Sequence, residues 1–362
     1  MKTIVHVVGA RPNYMKIAPL MEALKDAPDL RQVLVNTGQH YDEAMSKSFL
    51  RELSLPSPDR NLEVGSASHA VQTAKVMIGF EQACLAERPD LVVVVGDVNS
   101  TMAASLVAAK LMIPIAHLEA GLRSFDRGMP EEINRIVTDS LADLLLTPSA
   151  DGDANLLNEG VAPGKIHLVG NIMIDTLMRH LPMATLDRLA GRIDVQDKQY
   201  GVLTLHRPSN VDNPAILTRI LEAVANIART VPMVFPVHPR TRERLGALGV
   251  DHLLTNVTLT DPLGYIDFLS LTSHARIILS DSGGLQEEST ALGIPCLTLR
   301  ENTERPITIT HGTNRLVGTQ TAAILAGFDE AMSHEHDSTR RPPLWDGATA
   351  GRVATVLQKF LA

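Results

Sequence analysis

The strongest constraint on the fold is a repeated alternation of short, continuously apolar segments with stretches of helical spacing. The apolar segments are rich in Val, Ile and Leu and lack polar alternation, which is typical of parallel strands covered on both faces. In the first half of the chain we predict strands at residues 4–8, 33–35, 91–95 and 113–116, and helices at residues 15–24, 100–111 and 132–145. This pattern predicts a doubly wound α/β domain.

The alternation restarts near residue 200, after a polar and irregular stretch. Here we predict strands at residues 202–205, 233–237, 257–259, 276–279 and 296–299, and helices at residues 215–228, 265–272 and 285–292. We therefore predict two Rossmann-like domains, at residues 1–172 and 173–346, with a C-terminal helix over about residues 347–362 that packs back on the first domain. Ligands of open α/β sheets bind beyond the carboxyl ends of the strands, so two such domains facing each other would form a cleft lined by polar loops.

Composition restricts the class of partner. The 362 residues carry a formal net charge of −8 and only 3% aromatic side chains, which argues against binding of nucleic acid. No apolar run reaches about 18 residues, and the first residues lack the pattern of a signal peptide, so we expect no contact with a membrane. Two cysteines, Cys84 and Cys296, supply neither a disulfide framework nor zinc ligands, which fits a cytoplasmic protein.

Charged side chains follow the predicted strands of the first domain. Arg11 and Lys16 stand near the start of a helix, where an anionic ligand is favoured. Asp97, Glu119 and Glu131 follow later strands, and we expect their carboxylates to converge and to act as general acid and base. The structural alternatives are a turn or capping role for Asp97, an ion pair for Glu119, and a favourable place for acidic residues in a first helical turn.

In the second domain, His206 and His238 each end a predicted strand, where a buried, hydrogen-bonded histidine is the alternative to a functional one. The segment Ser282-Gly283-Gly284 leads from a strand into a helix, so its backbone N–H groups can approach a phosphate.

Two further residues extend this predicted nucleotide site. Glu288, one turn into the helix, is oriented toward ribose hydroxyls, and Arg305 is a candidate clamp for a diphosphate. A plain glycine turn is the alternative for the whole segment.

Cofactor signatures are missing from the sequence. It contains no G-x-G-x-x-G, no H-E-x-x-H and no cluster of cysteines, so we expect neither a redox cofactor nor a metal. Asp151-Gly152-Asp153 resembles a pair of metal ligands, but a turn in a polar loop is the favoured interpretation.

Seven segments, taken in chain order, resemble the UDP-N-acetylglucosamine 2-epimerases. They are Gly9-Ala10-Arg11-Pro12 with Lys16-Ile17-Ala18-Pro19, Gly96-Asp97, His117-Leu118-Glu119-Ala120-Gly121-Leu122-Arg123, Pro130-Glu131-Glu132-Ile133-Asn134-Arg135, His206-Arg207, Ser282-Gly283-Gly284-Leu285-Gln286-Glu287-Glu288, and Thr303-Glu304-Arg305-Pro306. The likeness extends over nearly the whole chain, to the Asp346-Gly347 region.

This resemblance implies a glycosyltransferase-B-like fold with the active site between the two domains, and an isomerase that interconverts UDP-GlcNAc and UDP-ManNAc for surface polysaccharide synthesis. It implies a homodimer without a cofactor, and a second substrate molecule near Gln39 and His40 as an allosteric activator. The implied catalytic residues are Asp97, Glu119, Glu131 and His206. The implied substrate-binding residues are Arg11, Lys16, Asp97, Glu119, Arg135, His206, Arg207, His238, Phe268, Ser282, Gly283, Gly284, Glu288 and Arg305, with Phe268 near the uracil.

The sequence departs from the family pattern at three places. Asn13-Tyr14 stands where many members have Glu-Ala, Leu263 where some have Gln, and the segment after His206-Arg207 differs from the His-Arg-Arg-Glu version. Some relatives act on further-modified UDP-hexosamines, which keeps the identity of the sugar open.

We expect the reaction to eliminate UDP, giving 2-acetamidoglucal, and to add UDP back after the C2 proton returns on the opposite face. A hydrolysing relative that releases free ManNAc is the nearest alternative. A glycosyltransferase and a non-catalytic UDP-sugar sensor are more distant ones, since neither needs three carboxylates.

Overall fold

Two parallel sheets organise the chain, one in each of the two units into which the computed structural model divides. The structure describes residues 1–38, 50, 52–333 and 340–362. The N-terminal unit comprises Met1–Thr176 and Pro343–Ala362, and the C-terminal unit comprises Leu177–Pro342.

The N-terminal sheet is built from seven described strands. They are β1 (Lys2–Val8), β2 (Leu30–Asn36), β3 (Arg60–Asn61), β4 (Leu91–Val95), β5 (Ile115–Leu118), β6 (Leu144–Thr147) and β7 (Ile166–Leu168). All their pairings are parallel, in the order β3-β2-β1-β4-β5-β6-β7. Every residue of β4 is buried, as expected for a central strand covered on both faces.

The described helices of this unit are α1 (Arg11–Ala23), α2 (His69–Glu87), α3 (Asn99–Lys110), α4 (Pro130–Leu141), α5 (Ala150–Asn158), α6 (Ile172–His180), which continues into the C-terminal unit, and the C-terminal helix, numbered α14 below (Thr349–Leu361). Phe80 of α2 joins Val92 and Val94 in one apolar cluster. The C-terminal helix packs against α1.

The C-terminal unit repeats the arrangement with six described strands. They are β8 (Gly201–Thr204), β9 (Met233–Pro236), β10 (Val257–Thr260), β11 (Ile277–Ser280), β12 (Cys296–Thr298) and β13 (Asn314–Leu316). The order is β10-β9-β8-β11-β12-β13, again with parallel pairs throughout. Neighbouring residues of β11, Ile278 and Leu279, enter two different apolar clusters, so both faces of the sheet are covered.

The described helices of the C-terminal unit are α7 (Pro208–Val211), α8 (Pro214–Ile227), α9 (Pro239–Leu248), α10 (Tyr265–Ser273), α11 (Gly283–Leu292), α12 (Ile307–Thr310) and α13 (Thr321–Ser333), so the C-terminal helix is α14. These observations confirm the predicted α/β class with two parallel, doubly wound sheets. No described helix has the length and apolarity needed to cross a membrane.

Strand order places a topological switch point in each sheet. The order reverses between β1 and β4 in the N-terminal sheet and between β8 and β11 in the C-terminal sheet. Ligands of such sheets bind beyond the carboxyl ends of the strands at these points. A ligand is therefore expected to contact the segments that follow these four strands.

Two local predictions are wrong. The helix predicted over residues 132–145 ends at Leu141, because the backbone N–H of Asp143 donates to the carbonyl of Ile115 and strand β6 begins at Leu144. The segment Asp151-Gly152-Asp153 is the first turn of α5 and not a loop. Acidic residues are favoured there by the helix dipole.

Candidate active site

A buried ion pair lies at the switch point of the N-terminal sheet. Lys16 of α1 donates to Oε2 of Glu119, the residue after β5, and both side chains are more than nine-tenths buried. Gly96, after β4, faces the pair: a Cβ there would lie 3.2 Å from Glu119 Oε2 and 3.4 Å from Lys16 Nζ. A side chain at position 96 would therefore crowd the pair.

The backbone of Glu119 is strained, with φ of +76°. A non-glycine residue in this region costs on the order of 1–3 kcal/mol, and such residues cluster at active sites. The N–H of Glu119 still donates to the carbonyl of Leu146 at 3.0 Å. The fold thus holds this carboxylate in a position that an unstrained strand end would not give it.

Asp97 is fixed from the side by α4. Arg135 donates to its carboxylate at 2.5 Å, and Asn134 donates to its backbone carbonyl at 2.8 Å. The side chain of Asp97 is 30% exposed, whereas that of Arg135 is 2% exposed. The Asp97 carboxylate is therefore accessible to solvent and paired with a buried, fixed cation.

Glu132 in turn fixes Arg135. Its carboxylate accepts hydrogen bonds from Arg135 at 2.6 Å, from the backbone and hydroxyl of Ser124, and from the backbone of Phe125. Burial opposes the ionised form, but these donors outweigh it and hold the pKa of Glu132 below its usual range. Glu131, one residue earlier, is exposed, and its side chain makes no hydrogen bond or ion pair within the described part of the chain.

The loop between β1 and α1 is tied to β4 by Asn13. Its side-chain oxygen accepts from the backbone of Gly9 and Ala10, and its amide donates to the carbonyl of Val95 at 3.1 Å. Asn13 is buried, and Arg11 stands exposed at the start of α1. Asn13, a residue that departs from the family pattern, thus fixes the conformation of this loop.

In the C-terminal unit, Arg305 lies at the start of α11, so a guanidinium and a helix N-terminus are close together. The first-turn N–H groups of a helix have no intrahelical acceptor. Arg305 lies directly over this turn, because a Cβ on Gly283 would come within 2.7 Å of its Nη1. Only glycine allows this approach. The absence of a side chain at Gly283 therefore lets the guanidinium lie beside the positive end of the helix dipole.

Two buried carboxylates orient Arg305. Glu287 accepts from its Nε at 2.7 Å, and Glu304 accepts from its Nη1. Glu304 also pairs with Arg300 at 2.8 Å and lies 3.8 Å from Arg207. Burial opposes its charge, but the surrounding arginines outweigh burial and hold the pKa of Glu304 well below its usual range.

Glu288 lies on the same helix in a different electrostatic setting. Burial raises the pKa of Glu288 to about 7, and the charge of Glu287 adds to this effect. The Tyr265 hydroxyl lies 3.4 Å from its Oε1 and opposes the shift. Near neutral pH this carboxyl group can both donate and accept a hydrogen bond.

Asp281 holds His206 in place. Nδ1 of His206 lies 2.8 Å from the carboxylate of Asp281, which is fully buried, while the His206 side chain is 49% exposed. The same carboxylate accepts from the backbone of His206 and Arg207 and from the amide of Asn210. Burial opposes ionisation, but these donors hold the pKa of Asp281 below its ordinary value.

His238 and Phe268, two further predicted residues of this unit, begin or lie on helices. His238 is exposed at the start of α9, where Nδ1 accepts from the backbone of Arg240, and burial first, then the charges of His206 and Arg240, lower its pKa. Phe268 is half-buried on α10 and packs on an apolar cluster of the unit.

Comparison with known proteins decides the family. The family model described as UDP-N-acetylglucosamine 2-epimerase matches residues 22–358. The chain belongs to this family.

Its relatives cover it almost completely. A UDP-N-acetylglucosamine 2-epimerase of Methanocaldococcus jannaschii is 41% identical over 359 residues, 97% of each chain. The crystal structure of a UDP-GlcNAc 2-epimerase of that organism, in complex with UDP-GlcNAc and UDP, has a TM-score of 0.90 at 39% identity and covers 99% of this chain and 100% of its own. A UDP-2,3-diacetamido-2,3-dideoxy-D-glucuronate 2-epimerase of Pseudomonas aeruginosa is 41% identical over 319 residues, 87% of this chain and 88% of its own.

In this epimerase, several polar residues at the strand ends were missed by sequence reasoning as site residues. Asn13, Glu132, Asp281, Glu287 and Glu304 each hold a predicted residue or its loop in place. The sequence offers one indication of these residues: all of them except Asn13 are the immediate neighbours of a predicted site residue.

The predicted allosteric pair, Gln39 and His40, lies outside the described residues. Within the described residues, no group of three or more His, Cys, Asp or Glu side chains is arranged to hold a metal ion.

Proposed function

We propose that this chain catalyses the reversible epimerisation of UDP-GlcNAc to UDP-ManNAc at C2. The observation that carries the proposal is the pair of fixed carboxylates at the N-terminal switch point, Glu119 on Lys16 and Asp97 on Arg135. A protein that only binds a nucleotide sugar has no use for two positioned carboxylates of this kind.

The chemistry of the sugar favours elimination over direct deprotonation. The C2 proton of a hexosamine is hardly acidic, but it becomes easier to remove as the bond from C1 to UDP breaks. A base takes the proton, the C2–H electron pair forms the C1=C2 double bond of 2-acetamidoglucal, and the C1–O pair leaves with UDP. Re-addition of UDP with protonation on the opposite face of C2 gives the epimer.

Two opposite faces of C2 require more than one acid–base group. Asp97, Glu119 and Glu131 are the candidates, and efficient proton transfer needs each in hydrogen-bond reach of the reacting proton. The rigid support of Asp97 and Glu119 favours these two as the groups that face the sugar.

The charge that develops on the departing UDP needs preorganised donors. Residues 282–284 at the start of α11, together with Arg305, supply a helix terminus and a guanidinium, and His206 supplies a proton donor. Arg11 is a further cation for the same oxygens. In this proposal Glu288 binds the ribose, Phe268 lies near the uracil, and Lys16, Arg135, Arg207 and His238 complete the substrate contacts.

The product would serve as a precursor for surface polysaccharide, made by a cytoplasmic homodimer from the nucleotide-sugar pool. An alternative substrate is suggested by one observation, the 41% identity to a UDP-2,3-diacetamido-2,3-dideoxy-D-glucuronate 2-epimerase. That sugar would undergo the same C2 chemistry.

Proton NMR of the anomeric signals tests the proposal. With UDP-GlcNAc we expect UDP-ManNAc to appear, and the same equilibrium to be reached from UDP-ManNAc. Asp97→Asn and Glu119→Gln should each lower the rate by at least about 10²-fold, while Asp26→Asn, at an exposed carboxylate of the same unit, should leave it unchanged.

The other outcomes distinguish the alternatives. Accumulation of free ManNAc with UDP identifies a hydrolysing enzyme. Turnover of the diacetamido sugar alone identifies the second substrate. UDP binding with no reaction of either sugar contradicts the epimerase proposal.

A further inference from the structure

His117 is a fully buried histidine beside the N-terminal switch point, and the proposed reaction does not use it. It lies in β5, two residues before Glu119, and its side chain has no exposed surface. Its Nδ1 lies 2.6 Å from Oδ1 of Asp139, and its Nε2 lies 2.9 Å from the backbone carbonyl oxygen of Gly96. Each ring nitrogen therefore faces an oxygen atom.

Only a doubly protonated ring satisfies both of these oxygens. A carbonyl oxygen has no proton to donate, so Nε2 must donate to Gly96. Asp139 also accepts from Nη1 of Arg123 at 2.7 Å and from the backbone N–H of Gly121 at 3.1 Å, as an ionised carboxylate does. Nδ1 must then donate as well, because its lone pair would be repelled by a carboxylate oxygen 2.6 Å away.

The charges around the ring support an imidazolium at this buried position. Arg123 bridges Asp139 to Glu159, and it donates twice to Glu159 at 2.7 Å. Two carboxylates and one guanidinium leave one negative charge, which a charged His117 neutralises. Burial opposes the ionisation of Asp139, but the charges of His117 and Arg123 outweigh it and hold the pKa of Asp139 below its ordinary value.

His6 shows the opposite state in the same sheet. It is fully buried in β1, its Nε2 lies 3.0 Å from the amide oxygen of Gln32, and its Nδ1 has no hydrogen-bond partner within the described residues. Burial lowers the pKa of His6 to about 4, because a neutral amide only partly offsets the cost of a buried charge. The two buried histidines thus differ in their partners, an amide for His6 and a carboxylate for His117.

The donor at Nε2 fixes the turn that carries Asp97. Gly96 has φ of +65°, and its carbonyl accepts from His117. The next carbonyl, that of Asp97, accepts from Asn134, and the carboxylate of Asp97 accepts from Arg135. Three successive acceptors of this turn are therefore held by buried side chains.

We propose that His117 is a positioning residue, whose doubly protonated ring links Asp139 of α4 to the carbonyl of Gly96 and so aims the Asp97 carboxylate. The two residues that hold Asp97 directly also lie on α4, so one helix fixes the turn at three points. The catalytic use of Asp97 rests on the proposed function, whereas the protonation and the hydrogen bonds of the ring do not.

Nitrogen-15 NMR of the full chain, labelled in histidine and free of substrate, tests the protonation state. At pH 8 we expect both ring nitrogens of His117 to carry a proton, and His6 to have one protonated and one unprotonated nitrogen. His117→Asn identifies the His117 signals by their loss. A ring of His117 with a single proton in the folded protein would overturn the inference.

Two substitutions test the hydrogen bond to Gly96. The amide nitrogen of a glutamine takes the place of Nε2, and that of an asparagine takes the place of Nδ1. His117→Gln therefore keeps a donor for the Gly96 carbonyl, and His117→Asn loses it. We expect the backbone amide signal of Asp97, which shares a peptide group with this carbonyl, to shift in His117→Asn and to stay near its original position in His117→Gln.

Kinetics of the same two variants test the positioning role. We expect kcat to fall by about 10²-fold in His117→Asn, because a displacement of about 1 Å has an effect of that size, and to recover most of this loss in His117→Gln. UDP affinity by calorimetry should be nearly unchanged in both variants. His6→Gln is the control, since it removes a buried histidine from the same sheet and should leave kcat unchanged.

Two further results would overturn the inference. One is an Asp97 signal that does not move in His117→Asn, and the other is an equal loss of kcat and UDP affinity in both variants, which indicates a general distortion. If neither variant folds, the ring protons of the unaltered protein decide. An unaltered protein that converts neither sugar contradicts the proposed function, and the ring protons and the Asp97 signal still decide the inference.

Discussion

The buried carboxylate of Asp281 shows how one residue can organise a candidate catalytic group. It receives four donors, among them the imidazole of His206 and the backbone N–H groups of His206 and Arg207. A carboxylate on Nδ1 fixes the orientation of the ring and leaves Nε2 for the substrate. Asp281 therefore acts as a positioning residue for the proposed proton donor.

Asp281→Asn tests this positioning role. We expect kcat to fall by about 10²-fold, with UDP affinity by calorimetry nearly unchanged, because the amide keeps the shape but not the charge that orients His206. Asp261→Asn is the control, since the Asp261 side chain is 93% exposed. Equal losses of kcat and of UDP affinity would show instead that the whole turn has moved.

The raised pKa of Glu288 implies that the free energy of unfolding depends on pH. Its pKa is raised by burial to about 7, against 4.5 for an ordinary glutamate. Between these values the folded chain holds a proton that the unfolded chain has lost, so this group destabilises the fold increasingly as pH rises from about 4.5 to about 7. The loss levels off above that range and amounts to about 3 kcal/mol.

Glu288→Gln should remove this loss. We expect the Tm of the variant relative to the unaltered protein to be higher at pH 8 than at pH 5, as measured by scanning calorimetry at both values. A difference in Tm that does not change with pH would contradict the assignment of a raised pKa to Glu288.

At the scale of the element, glycines decide where two segments can meet. Gly121 has φ of +81°, and a Cβ there would lie 2.5 Å from the carbonyl oxygen of Gly152 in α5. The turn after Glu119 is thereby packed against the first turn of α5.

Gly121→Ala should destabilise the protein by more than Gly160→Ala. Both glycines have positive φ, but a Cβ on Gly160 meets nothing within 4 Å. The Gly160 variant carries only the backbone cost of about 1 kcal/mol, whereas the Gly121 variant adds a clash between backbones. Urea unfolding of the two variants measures the difference, and equal losses would contradict the close approach.

Gly283→Ala tests the proposed anion-binding arrangement at the start of α11. The new Cβ would displace Arg305, so we expect UDP affinity to fall by at least about 10-fold, or 1.4 kcal/mol. Gly246→Ala on α9 is the control, because nothing lies within 4 Å of that position. Unchanged affinity in the Gly283 variant would show that Arg305 does not act with this helix terminus.

At the scale of the whole molecule, the fold followed from the sequence more fully than the site. A continuously apolar strand such as residues 91–95 is buried on both sides only in a sheet that is covered on both faces. Leu144 and Leu145 fall within the helix predicted over residues 132–145, because a short apolar run fits both periodicities, and only the pairing with β5 makes this segment a strand.

Candidate site residues were predictable where their position relative to a strand determines them. Asp97 and Ser282 follow the central strands of their sheets, and such places attract ligands in any fold of this type. The support of Asp97 by Arg135 and of Arg305 by Glu287 was not predictable, because those contacts join segments that are 38 and 18 residues apart. They depend on packing that no local pattern encodes.

The most direct test of the central claim is the reaction of UDP-GlcNAc in D2O, followed by NMR and mass spectrometry at C2. If the carboxylates remove and return the C2 proton, every molecule of UDP-ManNAc formed will carry deuterium at C2, and the UDP-GlcNAc pool will acquire it as equilibrium is approached. UDP-ManNAc that retains the original protium at C2 would contradict the account.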